Sequence, residues 1–438
     1  MRTARRIFLG WLAAWALGMA PVIAQPAKLT RGPYLQLPTH KSMVVRWRTD
    51  RETKGYLRWG LSPESATNRV AHKGILTEHV VQIDGLKPNM RYYYAVGTET
   101  NRWLTEPGQA FSFITAPVPG TVQPVRVWAV GDAGTATTNQ VNVRKGFETW
   151  HARQPADLWL MLGDNAYSTG TDRQYQRAVF DIYTDLLRRV PVWPTLGNHD
   201  AYSADSSTQS GVYYDIFTLP SRAQCGGLIS GTEAYYSFDF ANVHFVCLDS
   251  HDSDRAKGGA MAEWLRADMA GHSRDWTVAF FHHPPYTKGS HDSDKLSDSS
   301  GRLVEMRENL LPILEAGGVD LVLTGHSHSY ERSFLLNGHY GYSTNLAPSM
   351  ILDRGSGRID HEGAYKKEAG NVPHQGAVYI CAGASGQASG GKLNHPANWV
   401  SLNKLGSLVL DFDGLRLDVR YLGDRGQVRD YFTLIKKP

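Results

Sequence analysis

Cysteine is scarce in this chain: Cys225, Cys247 and Cys381 are the only three in 438 residues. An odd count leaves at least one thiol unpaired and excludes a small disulfide-stapled scaffold. None of the three is spaced like a zinc site or placed like a nucleophile. Cys247 and Cys381 lie inside apolar runs (243–248 and 377–382) and are expected to pack as small buried hydrophobes. Charge of one sign is lacking too. The formal net charge is +4, and Arg2, Arg5 and Arg6 of the first 24 residues carry three of it, leaving about +1 (4 − 3) for the rest. No basic run remains to argue for nucleic acid or a membrane surface as partner. Nothing beyond residue 24 is long and apolar enough for a bilayer span, and no internal repeat is visible. With 42% hydrophobic and 20% charged residues, the composition is ordinarily globular.

The first 24 residues read as a secretory signal peptide. A basic start is followed by an apolar stretch over 7–17 and a small-residue cleavage site, Val22-Ile23-Ala24, before Gln25. The expected location is exported, periplasmic or secreted, with no membrane contact after cleavage. Arg5-Arg6-Ile7-Phe8-Leu9 also resembles a twin-arginine export signal, and Sec and twin-arginine export stay open. The style of the leader suggests a bacterial source.

Residues 28–116 read as all-β. Short strands near 42–47, 55–59, 78–83, 91–96 and 111–114 are punctuated by Gly60, Asp84-Gly85, Pro88-Asn89 and Pro107-Gly108, which predicts a β-sandwich. Gly85-Leu86-Lys87-Pro88 before the Tyr-rich strand resembles a fibronectin type III module. The stretch Ala116-Pro117-Val118-Pro119-Gly120 is a natural linker. From 122 to 438 strands and helices alternate: strands near 125–130, 157–162, 192–196, 276–281 and 319–323, helices near 139–150, 173–190, 260–270 and 302–316, and a hairpin over 234–248. That alternation predicts an α/β layered domain. In such sheets ligands gather beyond the carboxyl ends of the strands.

Five strings sit at those strand ends: Gly131-Asp132, Gly163-Asp164-Asn165-Ala166-Tyr167, Gly197-Asn198-His199-Asp200, Phe281-His282-His283 and Gly325-His326-Ser327-His328. Their carboxylate, amide, phenol and imidazole groups suit iron, zinc or manganese. Two such metals, about 3.5–4 Å apart, clamp the attacking and leaving oxygens of a phosphoryl transfer. Asp164 is the best candidate to bridge two cations, since a carboxylate offers two oxygens. Tyr167 has a phenol whose pKa is ordinarily about 10, so its ionisation calls for a strong Lewis acid such as ferric iron. The i, i+2 spacing of His326 and His328 puts both on one face if the backbone is extended. By the same pleat, His199 and His283 are expected to point away from their neighbours Asn198 and His282. Asp200 could orient His199 through a hydrogen bond.

These strings resemble the calcineurin-like metallophosphoesterases, and specifically their purple acid phosphatase branch, from about residue 28 to the end. The Tyr three residues after the bridging Asp separates that branch from the others. The resemblance implies a fibronectin-like N-terminal domain followed by an α/β/β/α catalytic sandwich. It implies Fe(3+) held by Asp132, Asp164, Tyr167 and His328. A divalent Fe, Zn or Mn would be held by Asn198, His282, His326 and the shared Asp164. His199 would contact the phosphate. In plant members two further histidines follow the His282 motif, bind substrate and protonate the leaving group; here His291 takes the first position and Asp292 stands at the second.

The expected activity is acid phosphatase: hydrolysis of a small phosphate monoester by attack of a metal-bound hydroxide, with Asn198, His199 and His291 binding substrate and His199, His291 and Asp200 as catalytic candidates. A phosphodiesterase or phospholipase-like reaction on the same metals is the alternative. An exported, non-enzymatic binding protein is a third.

Overall fold

The computed structural model describes residues 26–99 and 102–437; the leader sequence lies outside them. Residues 28–116 build two antiparallel sheets. One pairs Leu29–Gln36, Met43–Thr53 and Leu76–Ile83. The other pairs Asn68–Ala71, Tyr56–Gly60, Arg91–Glu99 and Arg102–Trp103, with Ser112–Ile114 also on Arg91–Glu99. Val45, Trp47, Leu57, Val81, Tyr94 and Phe113 fill the space between them. Inward and outward residues alternate along Leu76–Ile83, while Leu29–Gln36 and Met43–Thr53 are largely buried on both faces, with Tyr34 and Val44 joining the core of the second domain.

Beyond residue 122 two seven-stranded mixed sheets lie face to face. The first runs Val192–Pro194, Leu158–Met161, Val125–Val130, Gly406–Asp413, Arg416–Gly423, Val428–Lys437, Tyr365–Glu368. The second runs Tyr236–Phe240, Val243–Cys247, Trp276–Phe280, Leu321–Thr324, Val378–Ala382, Tyr330–Ser333, Asn398–Leu402. Trp276, Val278 and Phe280 face the other sheet, while Ala279 and Phe281 face the helices Ala260–Gly271 and Leu311–Ala316. Both faces are therefore buried, which is why these strands read as near-continuous apolar runs. On the outer face of the first sheet Trp128 stacks on Phe147 of helix Thr138–His151, with ring centroids 4.3 Å apart. The order is helix, sheet, sheet, helix.

The helical stretches near 173–190 and 302–316 are less regular than their spacing predicts. Each is broken by a π-helical turn, Gln176–Phe180 and Met306–Leu310. All three cysteines are buried and unpaired. No helix among the described residues is long and apolar enough to cross a membrane.

The sandwich is tied to the layered domain that follows it. Arg31 and Arg48 reach the Asp172 carboxylate at 2.8 and 2.7 Å, and the Tyr34 hydroxyl donates to the Ile216 carbonyl at 2.7 Å. The Arg48 hydrogen bond, with Arg31 adding to it, holds the Asp172 carboxyl down at about 2.

Candidate metal centre

The parallel strands Val125–Val130, Leu158–Met161 and Val192–Pro194 of one sheet and Trp276–Phe280 and Leu321–Thr324 of the other end at the same edge of the sandwich. Each hands over to a turn, and the five turns meet. Asp132, Asp164 and His326 all adopt left-handed backbone conformations, with φ of 54°, 52° and 66°. Such residues are costly away from function and cluster where a side chain must be aimed. Glycines in these turns make space for the ligand side chains of the neighbouring turns. A Cβ on Gly325 would lie 2.4 Å from Asp132 Oδ2, and one on Gly197 would lie 2.3 Å from Asp164 Oδ1.

Two groups of side chains form. In the first, the Tyr167 phenol oxygen lies 3.1 Å from Asp132 Oδ1, 3.0 Å from Asp164 Oδ2 and 3.2 Å from His328 Nε2. His328 Nε2 is itself 3.4 Å from Asp132 Oδ1. In the second, His282 Nε2 lies 3.0 Å from Asn198 Oδ1, 3.1 Å from His326 Nδ1 and 3.4 Å from Asp164 Oδ1. Asp164 thus touches both groups, one oxygen to each. All seven side chains named from the sequence are in these two groups.

The donor set fits cations. One phenolic proton cannot satisfy two carboxylates and an imidazole at once. His282 Nδ1 lies 2.9 Å from the Leu162 carbonyl, which can only accept, so Nδ1 carries the proton and the Nε2 lone pair points inward. It meets the amide oxygen of Asn198, another acceptor. Burial pushes the Asp164 carboxyl up, with nearby Asp132 adding to this against His282. Burial, then Asp132 and Asp164, push the Tyr167 phenol well above its ordinary value. Burial keeps His326 neutral, as a ligand requires. Positive charge between these atoms would relieve the whole set. Ligand atoms of Asp132, Asp164 and His282 all lie within 4.8 Å of one another.

Three expectations about orientation need correction. His326 and His328 do not share a face of an extended strand; the strand ends at Thr324, and a left-handed turn sends the two rings to different groups. His283 does not turn away: its ring centroid is 4.4 Å from that of His326, and its Nδ1 bonds Ser250 Oγ at 2.8 Å. The pleat had ended at Phe280. Asp200 does not hold His199. Its carboxylate accepts from Tyr175 Oη at 2.6 Å and from the Gly197 amide and Asn165 Nδ2 at 2.9 Å each. It is therefore a buried brace between the two turns carrying Asp164 and Asn198. His199 is held instead by the Ser168 carbonyl, 2.6 Å from its Nδ1, and its ring lies against Tyr167 at 4.5 Å.

His291 lies over His326 with ring centroids 3.8 Å apart, and its Nδ1 bonds Asp298 Oδ1 at 2.8 Å. Ser299 joins the two: its hydroxyl is 2.6 Å from His326 Nε2 and 2.8 Å from Asp298 Oδ1. Gln387 Nε2 lies 3.2 Å from His328 Nε2, on the side of Tyr167, and Ser389 Oγ lies 3.3 Å from His328 Nδ1 on the far side. None of Asp298, Ser299, Gln387 and Ser389 is visible as a site residue in the sequence. Asp298 and Ser299 lie in a polar loop remote from any strand end, and Gln387 and Ser389 lie in the small-residue loop that follows the strand Val378–Ala382.

The family described as calcineurin-like phosphoesterase matches residues 125–330, and the purple acid phosphatase N-terminal domain matches residues 31–115. Purple acid phosphatase 23 of Arabidopsis thaliana is 28% identical over 306 residues, 64% of this chain and 62% of that protein. Purple acid phosphatase 18 of the same plant is 26% identical over 69% of this chain and 66% of its own length. The chain thus spans somewhat less than two thirds of these relatives. A purple acid phosphatase from yellow lupin (Lupinus luteus) seeds shares the fold, with a TM-score of 0.68 over 94% of this chain and 74% of its own, at 20% identity.

Proposed function

Because the chain belongs to the purple acid phosphatase family of calcineurin-like phosphoesterases, we propose that it is an acid phosphatase that hydrolyses small phosphate monoesters at a dinuclear metal centre. Asp132, Asp164, Tyr167 and His328 would hold Fe(3+), and Asn198, His282, His326 and the shared Asp164 a divalent Fe, Zn or Mn. The observation that carries the reading is the contact of Tyr167 with two carboxylates and an imidazole, next to a second group joined to it by Asp164. When bound, the metals would supply Lewis acidity for a water nucleophile and neutralise the phosphate oxygens.

The chain's own groups do the rest. His199, anchored at Nδ1, leaves Nε2 at the mouth of the cleft for a phosphate oxygen. Asn198 stands beside it as a second contact. His291, anchored at Nδ1 by Asp298, leaves its other nitrogen for the leaving oxygen. Asp200 acts on catalysis only by bracing the turns. Positioning of this kind is a large part of phosphoryl-transfer catalysis. The chain, with its domains over 28–116 and 122–438, would be exported to the periplasm or medium after loss of residues 1–24.

The test is steady-state kinetics of the metal-loaded protein on an aryl phosphate monoester and the matching diester, with Asp164→Asn as control. The proposal expects monoester turnover that Asp164→Asn lowers by about a thousandfold or more, the scale at which a transition-state charge contact acts. A strong diester preference would replace it with the phosphodiesterase reading, and turnover of neither would return the chain to the binding-protein reading.

A further inference from the structure

Beside the candidate centre lies a cavity of about 230 Å³, lined by residues 288–292, Lys295, Asp298, Gly391 and Lys392. It shares His291 with the centre, since that ring covers His326. It also shares Ser290, whose hydroxyl accepts the backbone N–H of His328 at 2.9 Å. Its walls are built rather than accidental. A Cβ on Gly391 would sit 1.8 Å from the Gly289 carbonyl oxygen, so the two loops are in backbone contact, and Leu393 N–H donates to the Lys288 carbonyl at 2.8 Å. A turn fixes Lys295, with its N–H on the Asp292 carbonyl and its own carbonyl taking the Asp298 N–H.

The charges sort into spent and unspent. Lys288 is ion-paired to Asp292 and, at 2.8 Å, to Asp294. Asp298 is taken by His291 and Ser299. Asp292, which stands where the plant relatives are expected to carry a histidine, shares Lys288 with Asp294, so these three groups together carry one net negative charge. Lys295 and Lys392 have no acidic partner among the described residues. Both are exposed, so their ammonium groups can turn into the cavity without leaving water.

We infer that this cavity is a second anion subsite, formed by Lys295 and Lys392 on the leaving-group side of His291, and that the preferred substrates are phosphate monoesters whose alcohol carries a second phosphate. This rests on the phosphatase reading above and names its substrate class. The volume holds one phosphate group and a short linker. The chemistry is unchanged by it: water forms the new bond to phosphorus, the bond to the leaving oxygen breaks, and that oxygen takes a proton and departs as the phosphorylated alcohol.

The experiment compares 3-hydroxypropyl phosphate with propane-1,3-diyl bisphosphate, which differ only in the second phosphate, on wild type and on Lys295→Ala/Lys392→Ala. Calorimetric binding of propylphosphonate and propane-1,3-diyl bisphosphonate to the metal-loaded protein gives a second readout free of turnover. The bisphosphate should be favoured about tenfold in kcat/KM, the scale of two solvent-accessible ion pairs, and the preference should shrink as ionic strength rises. The double variant should lose that preference and the matching affinity gain, with the monophosphate unchanged. A preference of twofold or less in wild type, the statistical value for two equivalent esters, overturns the inference. So does a preference that survives the variant. If wild type hydrolyses neither ester while the bisphosphonate preference persists and needs both lysines, the subsite stands as an anion site and the phosphatase reading is what fails.

Discussion

Asp430 ties the two facing sheets together at a buried place. Its Oδ2 accepts from Arg332 Nε at 2.6 Å and from Tyr330 Oη at 2.7 Å, and its Oδ1 accepts from Arg332 and Arg358 at 3.1 Å each. Tyr330–Ser333 belongs to one sheet and Val428–Lys437 to the other. The side chains of Arg332 and Asp430 have no exposed area. Asp430→Ala would leave the guanidinium of Arg332 buried and unpaired, which costs about 3–5 kcal/mol. Arg358 is partly exposed and can turn to water; Arg332 cannot. The strand that moves is the one directly after the turn carrying His326 and His328, so the site should feel the change.

The assay is amide hydrogen exchange read peptide by peptide, because a chain of this size need not unfold in one step. Peptides covering 325–334 and 428–437 should lose about a hundredfold or more in protection, and metal uptake should weaken with them. Replacing both partners, Arg332→Met with Asp430→Leu, should cost less than Asp430→Ala alone, since no charge is then stranded. The Asp430 carboxyl is held below its usual range: burial alone would raise it, and Arg332, Tyr330 and Arg358 together outweigh burial. Its contribution is therefore present above the ordinary carboxylate value of about 3.9 and lost as pH falls through the lower folded one. Protection in Asp430→Ala within about tenfold of wild type would refute the reasoning.

Two further outcomes follow from the same structure. His244 is buried between Asp239 and Asp268, at 2.8 and 2.9 Å, and although burial opposes it, those carboxylates raise its pKa to about 9. Its folded value lies above the unfolded one, so the stabilisation, on the order of 3 kcal/mol, is full below about pH 6.5 and disappears as pH rises through about 9. Thermal unfolding across that window should show the loss, and His244→Gln should flatten it. Gly325→Ala would force a Cβ against Asp132 Oδ2, and inductively coupled plasma analysis of the purified variant should find the centre under-loaded while the circular dichroism of the fold persists.

How much of this was legible in the sequence follows from burial. The strands that carry site residues are covered on both faces, so they show as apolar runs such as 125–130 and 276–281, each ending abruptly in a polar residue. Strands such as Tyr365–Glu368 and Asn398–Leu402 are short and half polar, and they escape that reading. The seven ligand candidates stood out because each sits at a strand end. Their orientation did not, since the pleat that predicts it stops one or two residues earlier and a left-handed residue takes over. Asp200 shows the same limit. Proximity to His199 in sequence suggested a partner, while the carboxylate is taken by backbone and side chains up to 35 positions away. Asp298 and Ser299 reach the site only through the folding of a polar loop, which leaves no local trace.

The central claim is that Tyr167, with Asp132, Asp164 and His328, holds a ferric ion beside a second metal. An absorption spectrum and metal content taken on the same pure sample of wild type and Tyr167→Phe test it most directly. The account expects two metals per chain, at least one of them iron, and a visible phenolate-to-iron band that Tyr167→Phe abolishes. A colourless, iron-free protein with full phosphatase activity would contradict it.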